Sequence, residues 1–368
     1  NIDDIQKIAS LCSENNVKSY LTLNTVVYDD ESEKIKEIIY SAKKAGVTAL
    51  IASDMSVINY CREIGIQVHA STQLNVSNID AVKFFAGFCD VIVLARELNI
   101  NQVKKISDSI IEQNIKGPSG NLVRLEMFVH GALCMSISGK CYLSLHEHNY
   151  SANRGACLQA CRRKYEVRDK ETGIELEIDN EYIMSPKDLC TITFLDKILE
   201  AGVTVLKIEG RGRSPEYVKV TTESYNEALE LICSGNYSPE ESTRLEEKLK
   251  TVYNRGFWDG YYLGRRLGEW TDRHGSSATK TKEYVGKIIH FYPNNMVAVT
   301  LVESSGIRQG DEILITGTST GAYTSQIDEI RIADKKVDYA QKGDIISFKT
   351  ETKVRPNDKL YKVVFAER

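Results

Sequence analysis

The sequence predicts an α/β protein in which a TIM-like (β/α) barrel, residues 1–270, is followed by a small antiparallel β-barrel, residues 283–368. Three observations lead to this fold class. Short apolar segments alternate with amphipathic helical segments in the first part of the chain, which is typical of parallel βαβ units. No Gly-x-Gly-x-x-Gly turn follows these strands, so a barrel is favoured over a dinucleotide-binding sheet. The C-terminal part contains short strands separated by Gly, Asn and Asp turns.

The barrel prediction depends on six strands, with helical patterns such as 35–46 between them. A barrel of this class has eight strands, and the chain opens at 1–4 on a helix start rather than on a strand. We therefore expect that the first strands of the barrel are absent from this chain, which would leave an open sheet edge. The six strand candidates lie at 19–25, 49–54, 67–72, 91–96, 124–130 and 203–210.

A cysteine-rich insertion at 131–190 interrupts the alternation before the last of these strands. It is far longer than the usual connection of about 2–6 residues, so we expect it to be functional. Helices are predicted at 215–234 and 238–252, and 271–282 reads as a linker. The strand candidates of the C-terminal domain lie at 283–291, 296–302, 310–316, 343–349 and 359–364.

The composition is that of an ordinary globular protein with a sizeable core. Hydrophobic residues make up 42% of the chain, the mean hydropathy is −0.30 and the net charge is −4. No apolar run reaches the roughly 18 residues that span a bilayer, so we expect no membrane span. The negative net charge argues against strong non-specific nucleic-acid binding but is compatible with a local basic patch. Because the nine cysteines are an odd number and the chain is large, we expect a reduced, cytoplasmic location.

Five of the cysteines lie close together in the sequence. Their soft thiolates suit zinc or an iron–sulfur cluster better than a hydrophobic core. Their spacing matches neither the paired Cys-x-x-Cys arrangement of zinc ribbons nor the usual ferredoxin runs. An iron–sulfur cluster is favoured, while zinc, inert core cysteines and a redox disulfide between Cys157 and Cys161 remain open. The five residues are Cys134, Cys141, Cys157, Cys161 and Cys190.

Polar residues recur at the carboxyl ends of the predicted strands, where the active sites of such barrels lie. Each one alone could be a helix cap or a loop residue, but together they predict a binding site at one mouth. Arg162 and Arg163 directly follow Cys161 and could guide a phosphate backbone or a carboxylate, or form a solvated charge run. The candidates for catalysis are His130, Glu209, Arg211, Lys207 and Arg96. The candidates for substrate binding are Asn24, Asp54, Ser71, Gln73, Arg162 and Arg163.

Two of these predictions carry a specific role. His130 lies at the mouth, where it could act as an acid or base or contact the substrate. Lys207, Glu209 and Arg211 share one face if the strand alternation persists, and could then bind an anionic substrate. The alternative for this group is an internal salt-bridge network around a buried glutamate. Separately, Glu126, in the same strand as His130, could be a buried ion-pair partner.

The motifs around these residues resemble peptidase family U32, the collagenase-like proteases. The segment EMFVHGALCMSISGKCYLS, 126–144, is similar to the defining motif of that family. The segments STQLNVSN, VLARELN, NRGACLQACRRKY, SPKDLC and LKIEGR resemble further family motifs in their usual order. NRGFWDGYYLG and VRPNDKLYKV resemble the family's C-terminal part, so the resemblance covers nearly the whole chain.

The resemblance implies an enzyme of one of two kinds. The family name implies proteolysis, but the sequence shows no His-Glu-x-x-His motif, no nucleophile elbow and no arranged Ser/His/Asp set. Other members are oxygen-independent hydroxylases that carry a [4Fe–4S] cluster and act on tRNA uridine, ribosomal RNA or ubiquinone precursors. The RNA hydroxylases take their oxygen from prephenate. One catalytic barrel followed by one small β-barrel most resembles the tRNA uridine 5-hydroxylation group.

The resemblance also implies the cluster ligands and the partners. By motif, the ligands are Cys134, Cys141, Cys157 and Cys190, with Cys161 as an alternative to one of them. We therefore expect an iron–sulfur enzyme that hydroxylates tRNA with prephenate as a small anionic co-substrate. Its C-terminal domain would contact RNA or a partner protein of the same family. A collagenase-like peptidase and a non-catalytic, cluster-bearing protein that binds RNA or a partner are the alternatives.

Overall fold

The computed structural model describes residues 2–166, 182, 184–264, 268–272 and 275–366. The chain forms two compact units, one of residues 1–209 with 256–274 and one of residues 210–255 with 275–368. This division differs from the predicted boundary at residue 270, because 210–255 belongs to the second unit and not to the barrel. No helix among the described residues is long and apolar enough to cross a membrane.

The first unit is built on one β-sheet with helices between its strands. Its strands are β1 (Tyr20–Leu23), β2 (Ala49–Ala52), β3 (Gln67–Ala70), β4 (Val91–Val93), β5 (Arg124–Gly131), β6 (Asp188–Cys190), β7 (Val203–Ile208) and β8 (Phe257–Trp258). The six strands predicted from the sequence are β1 to β5 and β7, and all six are confirmed. They pair in the order β1-β2-β3-β4-β5-β7, and every pair is parallel. Parallel neighbours bring the carboxyl ends of these strands to one edge of the sheet.

Several helices of the first unit begin at a short polar cap and bury an apolar stripe. They are α1 (Ile2–Glu14), α2 (Ser32–Lys44), α3 (Met55–Ile64), α4 (Ile79–Ala86), α5 (Ile100–Glu112), α6 (Leu143–His148) and α7 (Leu195–Glu200). The side chains of Asp54 and Asn78 accept hydrogen bonds from backbone amides in the first turns of α3 and α4. In α5 the buried positions include Val103, Ile106 and Ile110, at three- and four-residue spacing.

Strand β6 is antiparallel to β5 and pairs with the end of that strand. His130 is paired with Cys190 and Gly131 with Leu189 in this short antiparallel ladder. On its other side β6 pairs in parallel with β8. The pairing brings Cys190, which is 60 positions from His130 in the numbering, next to that histidine at the mouth of the sheet.

The second unit contains two helices and an antiparallel sheet. The helices are α8 (Pro215–Cys233) and α9 (Pro239–Lys250), as predicted. The strands are β9 (Lys280–Tyr292), β10 (Val297–Val302), β11 (Ile307–Arg308), β12 (Glu312–Gly317), β13 (Gly321–Gln326), β14 (Ile330–Ile332), β15 (Lys335–Val337), β16 (Tyr339–Ala340), β17 (Ile345–Lys349) and β18 (Lys359–Phe365). The main sheet has the order β13-β12-β18-β9-β10-β17-β14-β15, and β11 pairs with β16.

One side of the main sheet encloses the core of the second unit. Val285, Ile288, Ile313 and Ile346 are at most 1% exposed and belong to one apolar cluster. Alternation along each strand turns the intervening side chains to the opposite side. The antiparallel C-terminal domain predicted from the sequence is therefore present, with more strands than the five candidates.

Contacts within the second unit explain why 210–255 belongs to it. Helix α8 lies against β13, where Lys219 Nζ donates a hydrogen bond to the carbonyl oxygen of Ala322 at 3.3 Å. The backbone amide of Ser277 donates to the carbonyl oxygen of Asn254 at 2.7 Å. The predicted linker 271–282 therefore includes hydrogen-bonded backbone, and its end lies inside β9, which begins at Lys280.

Candidate functional site

A buried carboxylate in the first unit's sheet holds two basic side chains. Glu126 Oε1 accepts a hydrogen bond from Lys207 Nζ at 2.7 Å, and Glu126 Oε2 lies 3.2 Å from His69 Nδ1. The side chains of His69 and Glu126 are only 4% and 5% exposed. Burial acts to raise the pKa of Glu126, but the hydrogen bond to His69 and the charge of Lys207 outweigh burial and lower that pKa. Lys207 is thus part of an ion-pair network around a buried glutamate.

The ring of Phe128 lies next to two cations. Lys207 Nζ is 5.3 Å and Arg96 Cζ is 5.8 Å from the ring centroid, within the range of cation–π contacts. Arg96 Nη2 also donates a hydrogen bond to Ser138 Oγ at 2.8 Å. Arg96 therefore connects the end of β4 with the cysteine-rich segment, and two predicted catalytic residues meet at one aromatic ring.

His130 is 1% exposed and lies at the end of β5. Its ring contacts Phe257 edge to face, with the centroids 5.4 Å apart. Its carbonyl oxygen accepts a hydrogen bond from the Glu209 amide at 2.9 Å. Glu209 Oε2 in turn accepts a long bond of 3.4 Å from the amide of Ala132. His130 and Glu209 are therefore neighbours, and Glu209 contacts the first residues of the cysteine-rich segment.

The structure does not support the predicted strand face of Lys207, Glu209 and Arg211. Strand β7 ends at Ile208, so the alternation that the prediction required stops before Glu209. Arg211 has an exposed side chain and belongs to the second compact unit. The position of the Lys207 ammonium group is instead determined by its ion pair with Glu126 on β5.

Three of the predicted binding residues form a polar network at the ends of β1 and β3. Asn24 Nδ2 donates to Ser71 Oγ at 3.4 Å. Ser53 Oγ donates to the Asn24 carbonyl oxygen at 2.9 Å and lies 3.4 Å from Gln73 Oε1. Gly139, in the cysteine-rich segment, packs closely against the Gln73 side chain, and a Cβ added to Gly139 would lie 3.1 Å from Gln73 Cγ. The network therefore contacts the segment that carries the thiols.

Two predicted binding residues have structural tasks instead. Asp54 caps α3, accepting from the Ser56 amide at 2.9 Å with one carboxylate oxygen and from the Val27 amide at 3.0 Å with the other. Because both oxygens accept from backbone amides, Asp54 acts as a helix cap and loop anchor, and its predicted contact with substrate stays a prediction. The sequence left this alternative open for any residue that follows a strand.

Arg162 is likewise engaged by the protein itself. Its guanidinium donates to the carbonyl oxygens of Leu133 and Pro186, each at 2.7 Å, and to Ser185 Oγ at 3.0 Å. These hydrogen bonds connect the Cys134 end of the segment with the residues before β6, and the predicted role of Arg162 in binding substrate stays a prediction. Arg163 is more than half exposed and lies 3.7 Å from Glu147, so its side chain remains accessible.

The cysteine-rich segment brings thiols together. Burial raises the pKa of Cys161, Arg162 lowers it, and the thiols of Cys134, Cys157 and Cys141 raise it further. The thiols of Cys134, Cys141 and Cys157 are thus close enough to affect the pKa of the Cys161 thiol. Cys134 and Cys157 are exposed, and Cys141 and Cys161 are half-buried. The predicted convergence of all five cysteines, Cys190 included, stays a prediction.

The segment is also anchored to the loop after β1. Arg154 forms a bidentate pair with Glu31, with distances of 2.9 and 2.5 Å, and lies 3.9 Å from the Tyr28 ring centroid. The hydrogen bond from Arg154 and one from the Tyr28 amide lower the pKa of Glu31 to about 2. The Val26 amide donates to the Asn153 carbonyl oxygen at 3.1 Å. Sequence reasoning missed this anchor because its two sides lie more than 120 positions apart.

The donor chemistry of the segment fits an iron–sulfur cluster. Among the described residues, no three His, Cys, Asp or Glu side chains are arranged to hold a single metal ion. Cluster ligands each bind a different iron, so they can stand further apart than four ligands of one ion. The donor set of the segment, several thiols that act on the pKa of Cys161, has the chemistry that such a cluster requires.

Comparison with known proteins shows the family. The sequence model of peptidase family U32 matches residues 1–272, and the chain therefore belongs to that family. It is 55% identical over 360 residues to a protein named collagenase from Porphyromonas gingivalis, covering 98% of this chain and 87% of that protein. It is 29% identical over 371 residues to tRNA hydroxylation protein P1 of Bacillus subtilis, covering 98% and 85%. It is 34% identical over 277 residues to an Escherichia coli 5-hydroxycytidine synthase of 23S rRNA, covering 73% of this chain and 40% of that protein.

Proposed function

We propose that this chain hydroxylates a uridine in tRNA without molecular oxygen, using a [4Fe–4S] cluster held by its cysteine-rich segment. The observation that carries the proposal is that this segment is attached to the strand ends, with Cys190 paired to the buried His130 and with three further thiols acting on the pKa of Cys161. The relatives named for tRNA and rRNA hydroxylation support the same chemistry. We further propose that the parallel strands are the main part of a TIM-like barrel, with the site at its mouth.

The cluster would be held by four of five cysteines. The family motif assigns Cys134, Cys141, Cys157 and Cys190, and the electrostatic effect among the thiols keeps Cys161 as an alternative. A bound cluster supplies one-electron transfer at the site. Zinc remains the alternative metal, because cysteine thiolates are also ligands of that ion.

The chain's own residues would bind and orient a small anionic co-substrate, for which prephenate is the candidate. Arg96 and Lys207 lie next to the Phe128 ring. Their positive charges would bind the carboxylates of the co-substrate. Glu126 fixes the position of the Lys207 ammonium. His130, held beside Phe257, is the candidate for moving a proton at the mouth. The target base would have to leave its stack to reach this site.

A peptidase is the second candidate, and one observation favours it directly. The identity to the protein named collagenase, 55%, is higher than that to the RNA hydroxylation proteins. The carboxylate–imidazole pair of Glu126 and His69 resembles a base with its orienting group. The side chains of His69 and Glu126 are only 4% and 5% exposed. This burial argues against catalysis of peptide cleavage by the pair, since a peptide carbonyl would have to reach a buried ring.

One experiment separates the two candidates. Protein purified without air is analysed for iron and sulfide and is then incubated with prephenate and tRNA that lacks the modification. We expect about four irons per chain and hydroxylated uridine by mass spectrometry of nucleosides. Cys134→Ser with Cys141→Ser should remove both iron and product, whereas Cys233→Ser, an exposed cysteine outside the segment, should keep both.

The same preparations are assayed in parallel on denatured collagen. Cleavage by the iron-free double variant, without any hydroxylated nucleoside from the loaded protein, would establish the peptidase instead. Hydroxylation without cleavage would retain the hydroxylase. The location in the cytoplasm and a partner of the same family stay predictions.

A further inference from the structure

Three rows of paired positions across the main sheet of the second unit carry basic side chains and contain no acidic side chain. We define the basic sheet face as these three rows, which are Lys359–Lys287–Leu301–Ile345, His290–Val299–Ser347–Arg331–Lys336 and Tyr292–Val297–Lys349. Its charged and aromatic members are Lys287, His290, Tyr292, Arg331, Lys336, Lys349 and Lys359. The other positions of the face that lie in these ladders are Val297, Val299, Leu301, Ile345 and Ser347.

The register of β9 and β18 creates an unfavourable pair on this face. Lys287 lies directly opposite Lys359. Like charges at directly opposed ladder positions are destabilising, so this pair weakens the sheet unless an anion lies between the two ammonium groups. Both lysines are exposed, and neither has a carboxylate partner in the part of the chain that the structure describes.

A third lysine on the face is also unpaired. Lys349 is exposed at the end of β17, and no carboxylate contacts it within the described ranges. By contrast, Arg331 and Lys336 share Glu329, with Arg331 Nε 2.5 Å from that carboxylate. The free positive charge of the face is therefore concentrated on Lys287, Lys349 and Lys359.

Exposed rings stand between these cations. Tyr292 is 52% exposed, and its ring meets that of His290 at a centroid distance of 4.4 Å. Tyr292 is opposite Val297, which is opposite Lys349, so the tyrosine and the lysine lie in one row across three strands. Unpaired ammonium groups bind phosphates, and exposed rings provide a surface on which bases stack.

We infer that the basic sheet face binds the sugar–phosphate backbone of RNA, with Tyr292 stacking on an unpaired base. The inference rests on the proposed RNA substrate and adds a docking surface outside the site that contains the thiols. RNA is favoured over an acidic polypeptide because exposed rings share this face with the cations, and a polypeptide carboxylate would need only the cations.

The test measures binding of fluorescently labelled tRNA by anisotropy, in the absence of co-substrate. The variant carries Lys287→Gln, Lys349→Gln and Lys359→Gln. The control carries Lys34→Gln, Lys44→Gln and Lys105→Gln, which are exposed lysines on helices of the first unit and change the net charge equally. Thermal unfolding of each protein shows whether it folds, and Tyr292→Ala is a second variant that leaves the charge unchanged.

We expect the sheet variant to bind tRNA roughly 10- to 100-fold more weakly and to lose about 2 from the slope of log K against log salt, as three phosphate contacts require. The control should change less than about 2-fold. Tyr292→Ala should weaken binding about 5-fold or more, by loss of stacking.

Three outcomes would overturn the inference. These are equal tRNA binding by wild type and sheet variant, an equal loss in the control, and displacement of tRNA by polyglutamate at lower concentration than by unlabelled tRNA. Because the assay needs neither cluster nor turnover, failed hydroxylation with intact sheet-dependent binding would remove only the proposed function. Hydroxylation of tRNA with unchanged binding by the sheet variant would remove only the inference.

Discussion

Glu126 shows how one buried side chain determines the position of two others. One carboxylate oxygen contacts Lys207 on β7, and the other contacts His69 on β3. Both partners lower the pKa of Glu126. A buried carboxylate without such partners would be protonated or strongly destabilising. The same contact keeps Lys207 near Phe128, where the candidate co-substrate would bind.

Replacing this carboxylate should change both stability and its pH dependence. Because the folded pKa of Glu126 lies below its usual value of 4.5, its contribution is present above about pH 4.5 and is lost as the pH falls through the folded pKa. We expect Glu126→Gln to lower the free energy of unfolding by about 2–3 kcal/mol at pH 7. Urea unfolding at pH 7 and pH 4 should show a smaller difference between variant and wild type at the lower pH.

The matched control for this change is Glu112→Gln, at an exposed position near the end of α5. We expect it to stay within about 0.5 kcal/mol of wild type at both pH values. A variant at Glu126 that is equally destabilised at pH 7 and pH 4 would contradict the assigned charge state.

Arg162 and Arg163 are adjacent in sequence but differ in their surroundings. Arg162→Met leaves the carbonyl oxygens of Leu133 and Pro186 without their donor, so we expect a loss of about 2–4 kcal/mol. Arg163→Met should cost less than about 0.5 kcal/mol, because its ion pair with Glu147 is largely exposed. Chemical denaturation of both variants provides the comparison, and equal losses would show that Arg162 is not the anchor described above.

As an element of the fold, the cysteine-rich segment is held near the strand ends by three separate contacts. Arg154 attaches it to the loop after β1, Arg162 attaches it to the entry of β6, and Gly139 packs on Gln73. Each attachment joins parts of the chain that are distant in sequence. A loop of this length loses much conformational entropy when it is ordered, and these contacts offset part of that cost.

Gly139 provides a prediction for this packing. It has a φ of +73°, and a Cβ there would press on Gln73, whereas Gly120 has a φ of +79° with nothing within 4 Å. Both Gly→Ala changes incur backbone strain of about 1 kcal/mol, but Gly139→Ala should cost about 1–2 kcal/mol more because of the contact. The difference between the two unfolding free energies isolates the packing, and equal values would contradict the close approach.

At the scale of the whole molecule, two compact units carry different chemistry: thiols and buried acid–base groups in one, and a basic sheet face in the other. Binding of a cluster to the folded form alone should stabilise the first unit by mass action. We expect reconstitution with iron and sulfide to raise the melting temperature by at least about 5 °C.

The cysteine variants test where this stabilisation comes from. Cys141→Ser should abolish the rise in melting temperature, and Cys233→Ser should keep it, because Cys233 lies at the end of α8 and away from the segment in sequence. Calorimetry before and after removal of iron by a chelator measures both. An undiminished rise in Cys141→Ser would remove this residue from the ligand set.

Local pattern was sufficient to predict the six parallel strands, both helices of the second unit and the five main antiparallel strands. It also predicted the family, which the match over residues 1–272 confirms. It did not predict that Asp54 caps a helix or that Arg162 donates to backbone carbonyl oxygens, because both contacts depend on the tertiary fold. It overlooked His69, although a polar residue inside an otherwise buried strand was a usable signal.

The elements and the available chemistry follow from local sequence pattern, because the spacing of apolar and turn residues acts over a few positions. Which charges are paired follows from the packing of the strands. Glu126 meets partners 57 and 81 positions away, and Lys287 meets Lys359 through strand register. Such pairings depend on which strands become neighbours and in what register, and no local spacing encodes that choice.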